Sequence, residues 1–256
     1  MENSTIDLSL WHQLEELKSP KYKWVDLTHS FGEDTPRWPG FESLKNTVLF
    51  DFDQAPMKVN HYEFPGQYGT HVDAPGHFVP HGRLVEDIAV KEFAYPLVVI
   101  DVHEKVVENH DYALKVEDIE LFEATYGQIP EGAFVAMRSD WSKRWPNQEA
   151  MLNKDENGIS RYPGWSIDAL VFLFEVRNVG AVGHEPFDTD PPILQQEIGF
   201  AGEDYVLQQD KFQIEVMANL DQVPPVGAIL FATFPKAKNA SGFPARCFAI
   251  VPVGGR

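Results

Sequence analysis

The segment Gly66-Gln67-Tyr68-Gly69-Thr70-His71-Val72-Asp73-Ala74-Pro75-Gly76-His77-Phe78 places two imidazoles, a carboxylate, a side-chain amide and three glycines in one short run. Side chains alternate along extended backbone, so a strand here directs His71 and Asp73 to one side, with His77 following after the proline. Pro75 ends the strand because proline cannot donate to a sheet ladder. Imidazole nitrogen and carboxylate oxygen are common ligands of zinc, manganese and iron. The segment therefore predicts a metal or catalytic site at a strand end; the alternative is a turn whose histidines are hydrogen-bonded and inert.

Length and composition limit the number of domains and the class of partner. The 256 residues, 43% of them hydrophobic, can bury one sizeable core, which favours one large domain over two small ones. The 21 basic and 39 acidic residues give a formal net charge of −18. Nucleic acids and anionic membranes both require a positive protein face, so neither is expected as a partner, whereas a small-molecule substrate is.

Cysteine content and the first residues indicate the compartment. The single cysteine, Cys247, excludes an intramolecular disulfide, and its apolar neighbours favour a buried structural thiol over a nucleophile. Residues 1–7 lack the basic and apolar regions of a secretory signal, and no apolar run approaches the length of a membrane span. These features predict a cytoplasmic protein.

The beginning of the chain differs from the remainder. Residues 5–18 carry apolar side chains at helical spacing, with Ser4 or Thr5 as the N-cap and Pro20 as the stop. We therefore predict an N-terminal helical extension, residues 1–22, which packs on the body or on a neighbouring subunit rather than on the site. One domain, residues 23–256, follows it.

Within that domain, strand-like and helix-like segments alternate, which predicts an α/β fold. Strands are expected at residues 23–29, 47–52, 59–64, 97–102, 133–139, 179–183, 212–217, 228–233 and 246–252. Helices are expected at 116–126, at 203–209 and after the cap Ser166, where the core-facing residues would be Leu170, Val171, Leu173, Phe174 and Val176. The strand at 59–64 leads into the opening segment, and the polar residues 142–165 form a long excursion that could cover a pocket.

Further candidate site residues stand in loops and at strand ends, where functional side chains concentrate. Trp38 lies in a Pro/Gly loop, Trp141 follows a buried strand, and His184 stands with Glu185 at the end of another. Trp38 could equally cover the edge of the core. Glu215 lies among apolar neighbours, and burying it unpaired would be costly, so it faces water or a cationic partner such as a metal.

These motifs resemble the metal-dependent cyclase family, which includes bacterial kynurenine formamidase and isatin hydrolase. The resemblance rests on Gly69 to His77 and covers residues 23–253. Its further segments follow the family's order: Val25–Thr28, Trp38–Gly40, Val182–Gly183, Glu215 with Asn219–Leu220, and Gly242–Arg246. The resemblance implies a single α/β domain with a central barrel-like mixed β-sheet flanked by helices. It also implies a homodimer or homotetramer that holds one or two divalent cations.

The family's pattern His-x-Gly-Thr-His-x-Asp-x-Pro-x-His assigns roles to individual residues. By resemblance, His71, Asp73 and Glu215 are metal ligands, Asp73 can bridge two ions, and His77 is the proton-transfer residue. Gln67 stands where the family has its first ligand histidine, and Glu203 where the other second-metal ligand is usually histidine. Both are candidate ligands, although Gln67 could instead bind substrate. Because both changes replace nitrogen by oxygen, they favour Mn²⁺ over Zn²⁺.

The predicted function is metal-dependent hydrolysis of an amide bond, of the cyclic amide or arylformamide type, by metal-activated water in a small aromatic or cyclic substrate. His77 would accept or deliver the proton, since imidazole exchanges protons near neutral pH. Trp38, Phe78 and Trp141 would line an aromatic pocket, and His184 would contact substrate or metal. Two alternatives use the same residues: a cyclase or lyase that acts through an enolate, and a non-catalytic small-molecule-binding member of the family.

Overall fold

The structure, a computed structural model, describes residues 7–254. Its strands are β1 (Tyr22–Asp26), β2 (Lys45–Phe50), β3 (Val59–Glu63), β4 (His71–Asp73), β5 (Ala94–Asp101), β6 (Ala113–Leu114), β7 (Phe134–Arg138), β8 (Gly164–Trp165), β9 (Ala181–His184), β10 (Gln213–Glu215), β11 (Ala228–Thr233), β12 (Gly242–Pro244) and β13 (Arg246–Pro252). Its α-helices are α1 (Ser9–Leu17), α2 (His103–Glu108), α3 (Val116–Tyr126), α4 (Gln148–Leu152), α5 (Ile167–Val171), α6 (Pro192–Ile198) and α7 (Ala201–Gln208).

A nine-stranded mixed sheet, in the order β1-β13-β11-β5-β7-β9-β10-β4-β12, forms the centre of the molecule. Strands β5, β7, β9 and β10 are parallel, and antiparallel strands extend the sheet on both sides. The sheet curls into a half-barrel with helices packed outside it. The predicted fold, a single α/β domain around a barrel-like mixed sheet, is confirmed.

Both faces of the central strands are covered by apolar side chains. Along β5, Leu97 and Val99 belong to one hydrophobic core, and Val98 and Ile100 belong to the other. The second core also contains side chains of the helices α3 and α5. A strand buried on both faces requires a nearly continuous apolar sequence, which is the pattern of residues 97–102.

Two predicted helices have the expected position, with one difference. Helix α3 has the predicted bounds, and the Ser166 hydroxyl caps α5 by accepting a hydrogen bond from the Ala169 amide at 3.2 Å. The prediction that Val176 faces the core is wrong, because its side chain is 56% exposed. The chain continues from α5 as a π-turn, Phe172–Val176, whose wider hydrogen-bonding pattern takes later residues off the α-helical stripe.

Helix α1 lies outside both cores. The predicted caps Ser4 and Thr5 are not among the described residues, and the Asp7 carboxylate accepts a hydrogen bond from the Ser9 amide. No residue of α1, all of which the structure describes, is buried, and Leu10 and Trp11 are 74% and 70% exposed. The helical extension therefore presents an apolar surface to its surroundings.

One expectation about the chain near the site is corrected. As predicted, β3 leads into the opening segment along the chain; β2 and β3 form a separate two-stranded sheet, and the opening segment contributes β4 to the central sheet. The excursion 142–165 does not cover the cavity described below, since none of its residues lines it. Instead, Met151, Leu152 and Tyr162 are buried in the second core.

Two further sequence expectations concern the thiol and the membrane. Cys247 is fully buried, and burial raises the pKa of its thiol to about 12, so the prediction of a structural cysteine is confirmed. Across residues 7–254, no helix combines the length and the apolar composition that crossing a bilayer requires.

His29 gives the fold a titratable group outside the site. Its ring stacks on Trp145 with the ring centroids 4.3 Å apart, and its Nε2 is buried without a hydrogen-bond partner among residues 7–254. Burial lowers the pKa of His29 from 6.5 to about 4. The His29 ring therefore binds a proton more readily in the unfolded chain than in the native one. As the pH falls from about 6.5 to about 4, protonation of the unfolded chain lowers the free energy of unfolding.

We expect the His29→Phe variant to be less sensitive to acid than the wild type. Phenylalanine preserves the stacking on Trp145 but cannot be protonated, so up to about 3 kcal/mol of pH-dependent stability should disappear. Urea unfolding at pH 7 and pH 5 would measure the free energy of unfolding for both proteins. The expectation would be contradicted if the free energy of unfolding fell by the same amount from pH 7 to pH 5 in the wild type and in the variant.

Candidate active site

The register of three short strands assembles the candidate metal ligands. Strand β4 pairs antiparallel with β10, so that His71 lies opposite Glu215 and Asp73 lies opposite Gln213. Alternate residues of one strand and their cross-strand partners project from the same face of a sheet. The four side chains therefore meet, while Val72 and Ile214 point to the other face and enter the first core. The expectation from alternation, that His71 and Asp73 share a side, is confirmed.

The hydrogen bonding of His71 prepares its ring to bind a cation. Its Nδ1 lies 2.9 Å from the Gly69 carbonyl oxygen, and only a protonated nitrogen can donate to that oxygen. In the neutral ring Nε2 then carries the free lone pair. Nε2 lies 3.4 Å from Asp73 Oδ2 and 3.5 Å from Glu215 Oε2. Gly69 adopts a φ of +63°, a left-handed conformation that favours glycine, and thereby turns its carbonyl toward the ring.

A second group of ligands shares Asp73 with the first. His77 stands on a 3-10 turn, Pro75–His77, and its Nε2 lies 3.8 Å from Glu203 Oε1 on α7. The side chains of Asp73, His77 and Glu203 each bring one ligand atom within 4.8 Å of the other two. The side chains of His71, Asp73 and Glu215 do the same. Asp73 therefore lies where it could bridge two ions, and His77 is placed as either a ligand or a proton carrier.

The electrostatics of these groups fit a divalent cation. Glu203 and Glu215 are buried, and desolvation together with the negative charge of Asp73 raises the pKa of both well above the usual range. Burial alone would also raise the pKa of Asp73, but the contact with His71 lowers it. Asp73 Oδ1 is buried and accepts no hydrogen bond from the described residues. An unpartnered carboxylate oxygen and several buried acids are satisfied together when a cation binds between them.

Gln67, a predicted ligand, is held beside His77. Its amide nitrogen lies 3.3 Å from His77 Nδ1 and 3.4 Å from Ser241 Oγ. The backbone of Gly242 packs so closely against this amide that a Cβ there would lie 2.4 Å from Gln67 Nε2. Gln67 lines the same cavity as the ligands. Its role as a metal ligand stays a prediction, and its contacts place it where it can orient the His77 ring.

Gln213 was not identified from the sequence. Its side-chain nitrogen donates to Asp73 Oδ2 at 3.3 Å and to Glu215 Oε1 at 3.0 Å, while its oxygen accepts from the Thr189 hydroxyl. The available signal was its position two residues before Glu215, which puts both side chains on one face of a strand.

His184 lies behind Glu215, so its predicted contact with substrate is wrong. The side chain is fully buried and does not line the cavity. The Trp165 indole donates to Nδ1 at 3.3 Å, and Nε2 lies 3.3 Å from Glu215 Oε1. Burial lowers the pKa of His184 to about 3. The ring is therefore neutral, with its hydrogen on Nε2, and it faces the Glu215 carboxylate from the protein side.

Asp190 fixes the position of Glu203. Its carboxylate accepts hydrogen bonds from the Gly202 amide at 2.7 Å and the Glu203 amide at 3.1 Å, in the first turn of α7. Burial raises the pKa of Asp190 to about 6. The side chain leaves no room for a Cβ on Gly202, which would lie 2.6 Å from Asp190 Oδ1. The start of α7, and with it Glu203, is thus held against the segment that follows β9.

A cavity of about 250 Å³ opens directly onto the ligands. Five aromatic side chains form much of its wall: Trp38, Phe41, Phe78, Phe187 and Phe200. His71, Asp73, His77, Glu203, Glu215, Gln67 and Asp188 supply the polar part. The volume and the apolar wall suit a small flat molecule. Trp38 and Phe78 thus lie where the sequence placed them, in the wall of the pocket.

The predicted role of Trp141 is wrong. Its side chain is 1% exposed and belongs to the second core, where its indole donates to the Met151 carbonyl and Arg144 stacks on its ring. Four further residues of the cavity wall were not predicted from the sequence: Phe41, Phe187, Asp188 and Phe200. Phe187 and Asp188 stood in the polar strand end after His184, which was a signal, whereas no local pattern marked Phe200.

The sequence and structure were compared with known proteins. A family model described as "Putative cyclase" matches residues 25–191. The isatin hydrolase of Roseibium aggregatum is 31% identical over 257 residues, which cover 93% of this chain and 95% of that protein. The kynurenine formamidase of Bacillus anthracis is 31% identical over 81 residues, 31% of this chain and 39% of that protein. The structure of isatin hydrolase A from Labrenzia aggregata, bound to benzyl benzoate, is 32% identical with a TM-score of 0.88, covering 95% of this chain and 99% of that one.

Proposed function

The chain belongs to the cyclase family, and from this membership we propose that it is a metal-dependent hydrolase that cleaves the C–N bond of an amide in a small aromatic or cyclic substrate. One observation carries the proposal: the buried, unpartnered Asp73 Oδ1 and its neighbouring ligands form the floor of an aromatic cavity. The relatives named for isatin and kynurenine derivatives support a cyclic amide or an arylformamide as the substrate.

Three buried residues would hold the first cation, namely His71, Asp73 and Glu215, and Glu203 would hold a second together with Asp73. A divalent cation supplies hydroxide at neutral pH and polarises the substrate carbonyl. Three of these four residues offer oxygen, a donor set that supports Mn²⁺ over Zn²⁺.

His77 is the group that we propose to move the proton. Its side chain is 29% exposed and lines the cavity, so it can reach a bound substrate. In the hydrolysis, a water oxygen bonds to the carbonyl carbon, the C–N bond breaks, and the departing nitrogen takes a proton. The Gln67 amide beside Nδ1 fixes the ring so that Nε2 faces the ligands.

Product mass tests the proposal. The purified protein, supplied with Mn²⁺, is incubated with isatin and with formanilide, and a chelator-treated sample is the control. We expect turnover of at least one compound. Isatin would give a ring-opened product heavier by one water, formanilide would give aniline and formate, and in either case the new carboxylate would carry one ¹⁸O from labelled water. A product lighter by one water would instead support a cyclase. Binding of Mn²⁺ and of both compounds without turnover would support a non-catalytic family member.

We further propose that the protein forms a homodimer or homotetramer. The apolar surface of α1, with Leu10 and Trp11 exposed, supports this assembly, as does the exposed strand β2 with Val48, Leu49 and Phe50. Light scattering coupled to size exclusion distinguishes these states from a monomer.

A further inference from the structure

Asp188 lies in the wall of the cavity, outside both groups of candidate ligands. It follows β9 and is 6% exposed. The Tyr162 hydroxyl donates to Asp188 Oδ2, and the Gln195 amide nitrogen donates to the same oxygen at 3.0 Å. Both donors are anchored: Tyr162 is buried in the second core, and Gln195 also bonds the Asp190 carbonyl. The carboxylate is therefore fixed by one of its two oxygens.

The other oxygen, Oδ1, is not a buried atom, and since Asp188 lines the cavity it is open to a molecule there. No described residue donates a hydrogen bond to Asp188 Oδ1, although the two donors on Oδ2 hold the carboxylate in place. Phe187, the preceding residue, and Phe200 also line the cavity, and they offer aromatic surface and no side-chain donor. Oδ1 is therefore an acceptor that is open to a donor from a molecule bound in the cavity.

A molecule bound in the cavity can supply that donor. A carbonyl oxygen, an ester oxygen or a carboxylate placed against Asp188 would meet a second acceptor and be repelled, whereas an N–H would be bound. Asp188, Asp73 and His71 line the same cavity of about 250 Å³. The nitrogen of an amide whose carbonyl lies over the candidate metal ligands is one bond away from the reacting carbon. The amide nitrogen is thus the part of the substrate that can reach Asp188 while the carbonyl stays at the candidate metal ligands.

We propose that Asp188 is a specificity-determining residue, whose Oδ1 accepts a hydrogen bond from the N–H of the scissile amide. It would select lactams and anilides that carry hydrogen on nitrogen over N-alkylated amides and esters. This inference rests on the proposed amide hydrolysis. It also gives Tyr162 and Gln195 a positioning role, since they hold the acceptor in place without touching the substrate.

The test compares isatin, an N–H lactam, with N-methylisatin in the wild type and in Asp188→Asn. Asparagine has the size of aspartate, but Tyr162 and Gln195 keep its carbonyl oxygen turned toward them, so its NH₂ group faces the cavity. We expect kcat/KM for isatin to fall about 10- to 100-fold, the effect of losing a hydrogen bond to a charged group, and that for N-methylisatin to change less than about threefold. Tyr162→Phe should lower kcat/KM for isatin by a smaller factor than Asp188→Asn does, and it should likewise affect isatin more than N-methylisatin. Asp221→Asn, which removes an exposed carboxylate, is the matched control.

Equal losses on both substrates, or no loss on isatin, would overturn the role of Asp188. Binding separates this result from a failure of the proposed function. If the wild type hydrolyses neither compound, calorimetry with oxindole and N-methyloxindole still measures the preference for N–H. Tighter binding of oxindole to the wild type, lost in Asp188→Asn, would retain the recognition of N–H while the hydrolase proposal fails. Equal binding of the two, or binding of neither, would overturn both.

Discussion

The Asp73→Asn variant is expected to lose at least about 10³-fold in kcat/KM and its bound metal together. Asp73 belongs to both candidate ligand groups, so this one change removes a charged donor from each. The asparagine amide preserves the shape of the side chain but is a weak neutral ligand. A loss of about 4 kcal/mol of transition-state stabilisation corresponds to this factor and is within what a catalytic cation supplies.

The stability of the metal-free protein gives a readout that does not depend on turnover. Asp73 belongs to both candidate ligand groups, so a bound cation should stabilise the wild type through it. The rise in melting temperature that Mn²⁺ gives the chelator-treated wild type should therefore disappear in the variant. Elemental analysis and thermal unfolding of wild type, Asp73→Asn and the surface control Asp221→Asn measure both effects. A variant that still binds Mn²⁺ and keeps activity within tenfold of the wild type would show that Asp73 is not a ligand.

Replacing His77 by alanine is expected to lower kcat by about 10² to 10⁴, the usual contribution of a general acid or base. The main metal site should survive, because His71, Asp73 and Glu215 are untouched. Added imidazole should restore part of the activity, since it can enter the space left in the cavity wall. The measurements are kcat with and without imidazole, and metal content per chain.

The matched control for this variant is His61→Ala, which removes an exposed histidine of β3 and should leave kcat unchanged. Two results would change the role of His77. If half of the metal is lost and imidazole restores nothing, His77 is a ligand of a second ion. If kcat remains at the wild-type value, it takes no part in the chemistry.

Features that depend only on neighbouring residues, such as strand alternation, strand burial and helix capping, were predictable from the sequence. The alternation in His71-Val72-Asp73 predicted two side chains on one face, and the apolar run at 97–102 predicted a strand buried on both sides, because each pattern is a property of the strand itself. Ser166 indicated a helix start because an N-cap hydroxyl satisfies amides only three residues away.

Features that depend on distant parts of the chain were missed. Trp141 follows a strand directly, but the direction of its side chain is set by the packing of Met151 and Tyr162. Phe200 reaches the cavity only because the segment after β9 folds back toward His77 and Phe78. Asp188 stood in a visible polar cluster, yet its partners Tyr162 and Gln195 lie on separate segments. No local pattern specifies such contacts.

The pairing of β4 with β10 has an evolutionary consequence. A shift of one residue between these strands would turn the pair His71 and Asp73 to the face opposite that of Gln213 and Glu215. Insertions and deletions within residues 71–73 or 213–215 should therefore be eliminated by selection. The aromatic wall, by contrast, comes mainly from segments outside the sheet, such as those with Trp38, Phe187 and Phe200, which can change in length and composition. Descendants of this chain could thus acquire new substrates while inheriting the cation-binding framework unaltered.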